Sequence, residues 1–309
     1  MSNLMVLIMG CTAGGKGGLA FELARRLEGQ ILSIDSMKVY RRMDIGTAKP
    51  GAAARQAVKH HLVDVVEPYE SFSLGRFVEL AEAAIQEIQD QQRPIIAVGG
   101  TAMYIRGLLE GIFQGPSHDP QLRRGLNQEA DEWGLQKLHA RLGKVDPAAA
   151  ERIHPNDRKR IIRALEVFQL TGRPISSFQR QFRSGLYKYD WRLIGLRRNR
   201  EDNHHRINQR VKQMIDMGLV DEVKSLLAEP RGLSAQAAQA VGYAEIIAHL
   251  KGQISLEEAI EKIKINTRRL AKSQRTWFRS FEGVCWFDVT VEDTVEHLAD
   301  RVEKAFLVE

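Results

Sequence analysis

The chain has 309 residues, and its 45 Lys and Arg against 39 Asp and Glu give a formal charge of +6 at pH 7. Hydrophobic residues make up 43% and charged residues 27%, which is typical of a globular protein and excludes a mostly disordered chain. The two cysteines, Cys11 and Cys285, are far apart, which excludes a disulfide scaffold and a four-cysteine metal site and favours a reducing compartment.

The first third of the chain alternates short apolar runs with segments of helical spacing. Continuous apolar runs at 4–9, 30–34 and 94–98 predict buried β-strands. Between them, apolar residues recur at helical spacing over 19–27 and 72–89. Buried strands that alternate with helices predict βαβ units, and therefore an α/β fold with a parallel sheet flanked by helices.

The sequence predicts no membrane attachment. The apolar run at 4–9 is far too short to cross a bilayer. It also lacks the basic segment and the cleavage site of a secretory signal. We therefore expect a cytoplasmic protein without a membrane partner, and we expect it to be a monomer.

The pattern changes after about Gly111. Residues 115–120 have the composition of a loop, and helical patterns dominate from there to about residue 183. Strand and helix patterns then return at 191–196, 202–228, 234–250, 255–281 and 284–289. The simplest interpretation is an α/β core over 1–112 and 186–309, interrupted by a helical insertion domain over 113–185.

A glycine-rich segment follows the first predicted strand. It consists of Gly10, Cys11, Thr12, Ala13, Gly14, Gly15, Lys16 and Gly17. Gly10, Gly15 and Lys16 fit the Walker A pattern, but Gly17 lacks the hydroxyl that helps to bind Mg²⁺. Backbone N–H groups, the next helix's N-terminus and a lysine charge together attract phosphate. The segment predicts a diphosphate or nucleotide site in a P-loop NTPase-like sheet; the alternative is a glycine-rich turn without chemistry.

Polar residues also follow the second and third predicted strands. Asp35 comes after the second strand, and Gly99-Gly100-Thr101 after the third. Ligands of open parallel sheets bind beyond the carboxyl ends of the strands, so these residues and the phosphate loop should share one crevice. Asp35 could accept a proton or bind a metal ion there. The alternative is that its carboxylate only caps a turn or a helix.

Positive charge is concentrated in two segments. Residues 151–200 carry 13 Lys and Arg against 4 Asp and Glu, and residues 268–279 carry five basic residues and no acid. On a helix, one side of the second segment holds Arg268, Lys272, Arg275 and Arg279, and the apolar residues Ile263, Leu270, Trp277 and Phe281 lie nearly opposite. We expect the apolar side to pack and the basic side to bind RNA phosphates, with a solvated charged face as the alternative.

Ten short motifs follow one another along nearly the whole chain. They are Asp35-Ser36-Met37-x-Val39-Tyr40, Met43-Asp44-Ile45-Gly46-Thr47-Ala48-Lys49-Pro50, His60-His61-Leu62-Val63-Asp64, Gly99-Gly100-Thr101-x-x-Tyr104, Asp119-Pro120-x-x-Arg123, His154-Pro155-Asn156-Asp157, Arg163-Ala164-Leu165-Glu166-Val167, Val241-Gly242-Tyr243, Thr267-Arg268-Arg269-x-Ala271-Lys272 and Thr276-Trp277-Phe278-Arg279. In this order they resemble the tRNA dimethylallyltransferases, the tRNA isopentenyl transferase family. Several of them are far more specific to that family than a phosphate loop alone.

The resemblance implies a reaction. It implies transfer of a dimethylallyl group from dimethylallyl diphosphate to the exocyclic amine of the adenosine 3′-adjacent to the anticodon. It also implies that residues 10–17 hold the donor's diphosphate with Mg²⁺ and that Asp35 accepts the amine proton. Thr101 would help to place the reacting groups, and Arg210 would stabilise the diphosphate leaving group.

The resemblance further implies a set of contacts to the tRNA anticodon stem-loop. These residues are Asp35, Ser36, Met37, Lys38, Thr101, Arg123, Lys159, Arg160, Arg163, Gly242, Tyr243, Lys272, Gln274, Arg275 and Arg279. The insertion domain is expected to take part through Lys159–Arg163. Together these contacts would hold an RNA loop whose target base is turned out of its stack.

The chain departs from the family's pattern at four positions: Gly17, Lys38, Ala244 and Ser273. Lys38 takes the place of the family's usual glutamine in the segment that reads the target adenine, and each of the other three changes removes or alters a polar contact. A catalytically weakened or inactive tRNA-binding relative is therefore one alternative. The others are a P-loop small-molecule kinase and a prenyltransferase of free adenine nucleotides, neither of which would need the basic insertion.

Overall fold

The computed structural model describes residues 4–111, 115–116, 119–178 and 188–306. The chain forms two compact units. The sheet unit comprises Met1–Leu109 and Tyr187–Glu309, and the helical unit comprises Glu110–Leu186. Parts of the predicted loop at 115–120 and of the predicted insertion over 113–185 fall on residues 113–114, 117–118 and 179–185, which lie outside the described residues.

A six-stranded sheet forms the centre of the sheet unit. Its strands in the described part of the chain are β1 (Met5–Gly10), β2 (Gln30–Ile34), β3 (His60–His61), β4 (Ile95–Gly99), β5 (Trp191–Arg198) and β6 (Cys285–Val289). All neighbouring strands are parallel, in the order β3-β2-β4-β1-β5-β6. The predicted α/β fold is confirmed. The two-residue strand β3 was not predicted, because no apolar run marks it.

Helices flank the sheet and form the helical unit. In the part of the chain that the structure describes they are α1 (Lys16–Arg26), α2 (Ala52–Ala57), α3 (Leu74–Asp90), α4 (Ala102–Glu110), α5 (Pro120–Trp133), α6 (Leu135–Val145), α7 (Pro147–Arg152), α8 (Arg158–Thr171), α9 (Ile175–Phe178), α10 (Arg200–Asp216), α11 (Leu219–Ala228), α12 (Ala235–Ala238), α13 (Tyr243–Leu250), α14 (Leu256–Phe278) and α15 (Val295–Phe306). No described helix is long and apolar enough to span a membrane.

Two predicted long helices are each divided by a glycine. The segment 202–228 becomes α10 and α11, which meet at Gly218 with φ +96°. The segment 234–250 becomes α12 and α13, separated before Gly242 with φ +99°. A positive φ is accessible to glycine at little cost, so each glycine lets the chain turn into the helix that follows it.

The central strands are buried on both faces. Every residue of β1 and β2 is buried, because helices cover the sheet on each side. One core cluster joins Ile8 and Ile96 of the sheet to Leu23 of α1 and Leu298 of α15. The strand register sets Met9 beside Gly99 of β4, and Ile34 of β2 beside the same glycine. The carboxyl ends of β1, β2 and β4 therefore lie at one edge.

The helical unit has a core of its own. Leu126, Leu138, Leu142, Ile161 and Leu165 are among its buried residues. Aspartates cap its helices: Asp119 accepts hydrogen bonds at the start of α5, Asp146 at α7 and Asp157 at α8. The helical pattern predicted for this segment is confirmed.

Glu166 is a fully buried carboxylate within the helical unit. It accepts hydrogen bonds from Arg123 Nε at 2.9 Å, from Arg163 at 2.7 Å and from the backbone N–H of Asp119 at 2.9 Å. Burial opposes the charged form, but these hydrogen bonds outweigh it and hold the pKa of Glu166 below its usual value. Arg123 and Arg163, which the resemblance assigns to tRNA binding, thus have a structural partner in this unit.

Replacing Glu166 with glutamine should loosen the helical unit. The change leaves two arginines without their carboxylate, and we expect a loss of about 2 kcal/mol, reduced by the partial exposure of the arginines. Hydrogen–deuterium exchange of α5 and α8 should then become roughly 30-fold faster. Glu129→Gln, which breaks only the surface pair with Arg141, is the matched control and should change exchange little. Equal exchange in both variants would contradict a structural role for Glu166.

Candidate active site

A cavity of about 1370 Å³ opens at the carboxyl edge of β1, β2 and β4. The residues that line it belong to the sheet unit. They include the phosphate loop, Asp35, Lys38, Thr101 and Arg210. The structure therefore brings together the polar residues that the sequence placed at three separate strand ends.

The phosphate loop joins β1 to α1. Gly15 has φ +96°, a conformation that favours glycine, and Lys16 is the first residue of the helix. A side chain at Gly14 would bring its Cβ to 2.9 Å from the carbonyl oxygen of Cys11, so this turn is too tight for a larger residue. Lys16 Nζ donates to the same carbonyl at 3.2 Å. The loop has the closed shape in which backbone N–H groups can surround a phosphate.

Two amide side chains from distant helices hold the loop. Asn203 of α10 is fully buried, and its Nδ2 donates to the carbonyl oxygen of Thr12 at 3.0 Å. Gln274 of α14 accepts from the N–H of Thr12 at 2.8 Å and donates to the carbonyl of Gly100 at 2.9 Å. Gln274 thus connects the loop to the turn after β4. Asn203 was not predicted, because no motif around it signals this contact.

Asp35 and Thr101 organise the turn after β2. Asp35 Oδ1 accepts from the backbone N–H groups of Met37 at 2.9 Å and Lys38 at 3.3 Å. Thr101 Oγ1 accepts from the N–H of Ser36 at 3.1 Å. In the part of the chain that the structure describes, Oδ2 of Asp35 accepts no hydrogen bond. Asp35 therefore caps the turn with one oxygen and keeps the other for a ligand.

Lys16, Lys38 and Arg210 share the cavity with Asp35. Burial and, after it, the charges of Lys38 and Arg210 lower the pKa of Lys16 to about 8, although Asp35 opposes them. Burial is also the main cause of the lowered pKa values of Lys38 and Arg210. Arg206 lies nearby, and its Nε donates to the carbonyl of Ala13 at 3.0 Å. The cluster has more positive charge than Asp35 can balance, as expected for a site that binds a multiply charged anion.

The apolar side of α14 faces the cavity. Sequence spacing predicted that Ile263, Leu270, Trp277 and Phe281 pack together in the core, and Ile263 and Phe281 are indeed buried. Leu270, however, is 41% exposed, and it lines the cavity together with Trp277. The prediction is wrong for Leu270, whereas Trp277 is half-buried and packs against Arg106. Their rings and methyl groups give the polar site an apolar wall.

The basic side of α14 is divided between packing and solvent. Arg268 donates to Asn208 at 2.6 Å, and Arg275 donates to Asn203 at 3.3 Å, so both face α10. Lys272 and Arg279 are exposed. Two of these four cations thus hold two helices together, and the binding of RNA by this side of α14 stays a prediction. In the helical unit, Lys159 and Arg160 are exposed.

Gly242 and Tyr243 support one wall of the cavity. Tyr243 is fully buried, and its hydroxyl donates to Glu222 at 2.6 Å. Glu222 also accepts from the N–H groups of Asp44 and Ile45 at 2.9 and 2.7 Å. Tyr243 thus acts on the loop at 44–46, and its predicted contact with tRNA stays a prediction. Glu222 was not predicted, since the sequence gives no sign of which loop it binds.

The side chains of this site do not form a complete Mg²⁺ site. Among the described residues, no group of three or more His, Cys, Asp and Glu is placed to hold a metal ion. Gly17 contributes no hydroxyl, and Asp35 has one oxygen engaged with the backbone. Mg²⁺ demands six oxygen ligands in near-ideal octahedral geometry, so most ligands here would have to come from water and a bound phosphate.

Comparison with known proteins identifies the family. The IPP transferase family model matches residues 38–281. A tRNA dimethylallyltransferase of Geobacter metallireducens is 47% identical over 284 residues, which cover 92% of each chain. One from Acetivibrio thermocellus is 45% identical over 304 residues, which cover 98% of this chain and 97% of the relative.

Solved structures agree with these relatives. The full-length tRNA isopentenylpyrophosphate transferase of Bacillus halodurans superposes with a TM-score of 0.71 at 41% identity, covering 98% of this chain and 96% of that one. A eukaryotic dimethylallyltransferase acting on tRNA superposes with a TM-score of 0.84 at 27% identity. The match covers 97% of this chain and 78% of that one. The chain therefore belongs to the IPP transferase family, the family of the tRNA dimethylallyltransferases.

Proposed function

We propose that this chain transfers a dimethylallyl group from dimethylallyl diphosphate to the exocyclic amine of the adenosine 3′-adjacent to the anticodon of a tRNA. The observation that carries the proposal is one cavity that joins a phosphate loop, unbalanced cations and a carboxylate with a free oxygen. Family membership supplies the reaction type, and the cavity offers a group for each of its steps.

The cations of the cavity would stabilise the diphosphate leaving group. The bond between C1 of the dimethylallyl group and the bridging oxygen breaks, and the diphosphate departs with the electron pair. Its growing negative charge is met by Lys16, by Arg210 and by the N–H groups of the loop at 10–17. These groups are held in place before the reaction, so little reorganisation is needed when the charge appears.

Asp35 accounts for the proton. The adenosine nitrogen forms its new bond to C1 and must lose one proton to become a neutral secondary amine. An aromatic amine is a weak nucleophile, so a base within reach and exact placement both assist the step. Oδ2 of Asp35 is the proposed acceptor, while Oδ1 keeps the carboxylate fixed to the turn. Thr101 supports the same turn through Ser36.

We propose that Mg²⁺ binds to this site only together with the donor's diphosphate. Diphosphate oxygens and water would supply its ligands, because Gly17 offers none and the free oxygen of Asp35 is assigned to the proton. When bound, the ion would add charge to the leaving diphosphate. The steps assigned to Lys16, Arg210 and Asp35 do not depend on it.

Exposed cations account for the binding of tRNA. We propose that Lys159 and Arg160 of the helical unit and Lys272 and Arg279 of the sheet unit contact phosphates of the anticodon stem-loop. Such contacts fix the position of an RNA without reading its sequence. Reading of the adenosine would fall to the turn at 35–38, next to Asp35. A cytoplasmic location, where this substrate occurs, completes the proposal.

A second candidate is a tRNA-binding relative without transferase activity. It is favoured by Gly17, which removes a metal ligand, and by Lys38, which places an extra cation in the cavity. A small-molecule kinase has less support, because it explains neither the helical unit nor the exposed cations.

Incubation with dimethylallyl diphosphate, Mg²⁺ and an unmodified tRNA tests the function. The tRNA carries adenosine after the anticodon, and its nucleosides are analysed by mass. Prenylated adenosine at that position is expected. Tight tRNA binding without product would instead support the non-catalytic relative, and ATP hydrolysis with neither would support a kinase.

Asp35→Asn should separate catalysis from binding. The amide keeps an oxygen that accepts from Met37 and Lys38, but it cannot take a proton at neutral pH. We expect kcat to fall roughly 10²- to 10⁴-fold with tRNA affinity unchanged. Asp216→Asn, at an exposed position of α10, is the matched control and should keep full turnover. A turnover of Asp35→Asn equal to that of the control would exclude Asp35 as the base.

Lys16→Met should stabilise the ligand-free protein while removing its affinity for diphosphate. The folded state lowers the pKa of Lys16 from 10.5 to about 8, so below pH 8 the charged form opposes folding. From the size of that shift, we expect the free energy of unfolding of Lys16→Met to exceed that of the parent by about 1–3 kcal/mol at pH 7, measured with urea. Between pH 8 and 10.5, Lys16 is protonated in the unfolded chain but neutral in the folded parent, so the parent becomes more stable as the pH rises. The stability advantage of Lys16→Met over the parent therefore disappears towards pH 10.5.

The control for this measurement is Lys262→Met, which replaces an exposed lysine of α14. It should alter stability by no more than about 0.5 kcal/mol. If Lys16→Met matches this control at pH 7, the buried ammonium carries no electrostatic cost and the interpretation of the cation cluster is wrong.

The exposed cations should determine the salt dependence of tRNA binding. Replacing both Lys272 and Arg279 with alanine should reduce the slope of log K against log salt concentration by about 1–2. The double variant Lys251→Ala/Lys262→Ala removes two other exposed lysines and should leave the slope unchanged. An unchanged slope in the first variant would show that Lys272 and Arg279 do not contact the RNA.

A further inference from the structure

Lys38 is a cation that the reaction steps above leave unused. It lines the same cavity as Lys16 and Arg210 and is only partly exposed. Its backbone is fixed on both sides, because its N–H donates to Asp35 Oδ1 and its carbonyl accepts from the N–H of Asp64 at 3.1 Å. Among the described residues, its ammonium has neither a hydrogen bond nor an ion pair. The backbone of Lys38 is thus held at the cavity, and its ammonium has no bonded partner among the described residues.

Gly17 marks the place where the site lacks a metal ligand. A Cβ built on Gly17 meets no atom within 4 Å, so the space for a hydroxyl side chain is open. Steric crowding therefore does not explain the glycine. The site also offers no described group of carboxylates that could replace the missing ligand.

The balance of charge in the cavity connects these two observations. Lys38 and Arg210 lower the pKa of Lys16, Arg210 also lowers the pKa of Lys38, and Asp35 raises the pKa of all three. A divalent cation added here would meet the same repulsion, whereas a diphosphate, with several negative charges, would relieve it. An ammonium also binds phosphate oxygens through short charge-assisted hydrogen bonds.

We propose that the Lys38 ammonium binds the donor's diphosphate directly and takes over the charge of a protein-held Mg²⁺, so that the diphosphate binds without a divalent cation. The identity of the donor rests on the proposed function. The binding of the diphosphate group does not, because inorganic pyrophosphate carries the same charge.

Calorimetric titration with inorganic pyrophosphate at pH 7 tests this proposal. The parent should bind with a Kd that differs less than about threefold between EDTA and Mg²⁺ at constant ionic strength. Lys38→Gln should weaken binding in EDTA at least roughly tenfold, the effect of losing one charge-assisted contact. Lys38→Arg should retain most of the affinity, because it keeps the charge. Urea unfolding of each variant checks that the fold is intact.

Two further variants sharpen the result. Lys262→Gln removes an exposed lysine outside the cavity and should bind as the parent does. In Lys38→Gln/Gly17→Thr, the added hydroxyl fits the open space and can help to bind Mg²⁺. This double variant should therefore bind pyrophosphate more tightly in Mg²⁺ than in EDTA. A parent that binds pyrophosphate only with Mg²⁺, or not at all, would overturn the proposal, as would a Lys38→Gln protein with unchanged affinity in EDTA.

The outcomes also separate this proposal from the proposed function. Prenyl transfer that strictly requires Mg²⁺, with no pyrophosphate binding in EDTA, would leave the function standing and remove the role of Lys38. Binding in EDTA that depends on Lys38, with no prenylated nucleoside, would support the cation site and contradict the transferase.

Discussion

Unbalanced positive charge at the carboxyl edge of the sheet is the interaction on which the site depends. Lys16, Lys38 and Arg210 are withdrawn from water in one cavity, and Asp35 is the carboxylate that all three share. Such an arrangement costs stability in the free protein and is relieved by an anion. This is why we propose that the same residues bind a diphosphate and then stabilise it as a leaving group.

The parallel sheet makes this concentration of charge possible. Strands β1, β2 and β4 end together, so residues far apart in the chain meet without long connections. Helices α10 and α14 then close the edge: Asn203 and Gln274 fix the phosphate loop, and Leu270 adds an apolar wall. The polar and apolar parts of the cavity are the reason we propose a prenyl diphosphate as the donor.

Local patterns of the sequence were enough to predict the strands around the site, the phosphate loop and Asp35. Each of these depends on a few consecutive residues and on the rule that parallel strands end at one edge. Contacts such as Glu222 with the loop at 44–46 were missed, because they join positions about 180 residues apart in the chain. The orientation of Leu270 also depends on what its helix covers, which helical spacing alone does not reveal.

The central claim is that a buried ammonium in the phosphate loop is held ready for an anion. It is tested most directly by an NMR titration of Lys16 in protein labelled with ¹³C at the lysine ε-carbon, with the Lys16→Met spectrum to assign the resonance. The account predicts a pKa of about 8 in the free protein, which rises well above that value when pyrophosphate is bound. A Lys16 pKa at the ordinary lysine value of 10.5 in the free protein, or one that does not change when pyrophosphate is added, would contradict the account.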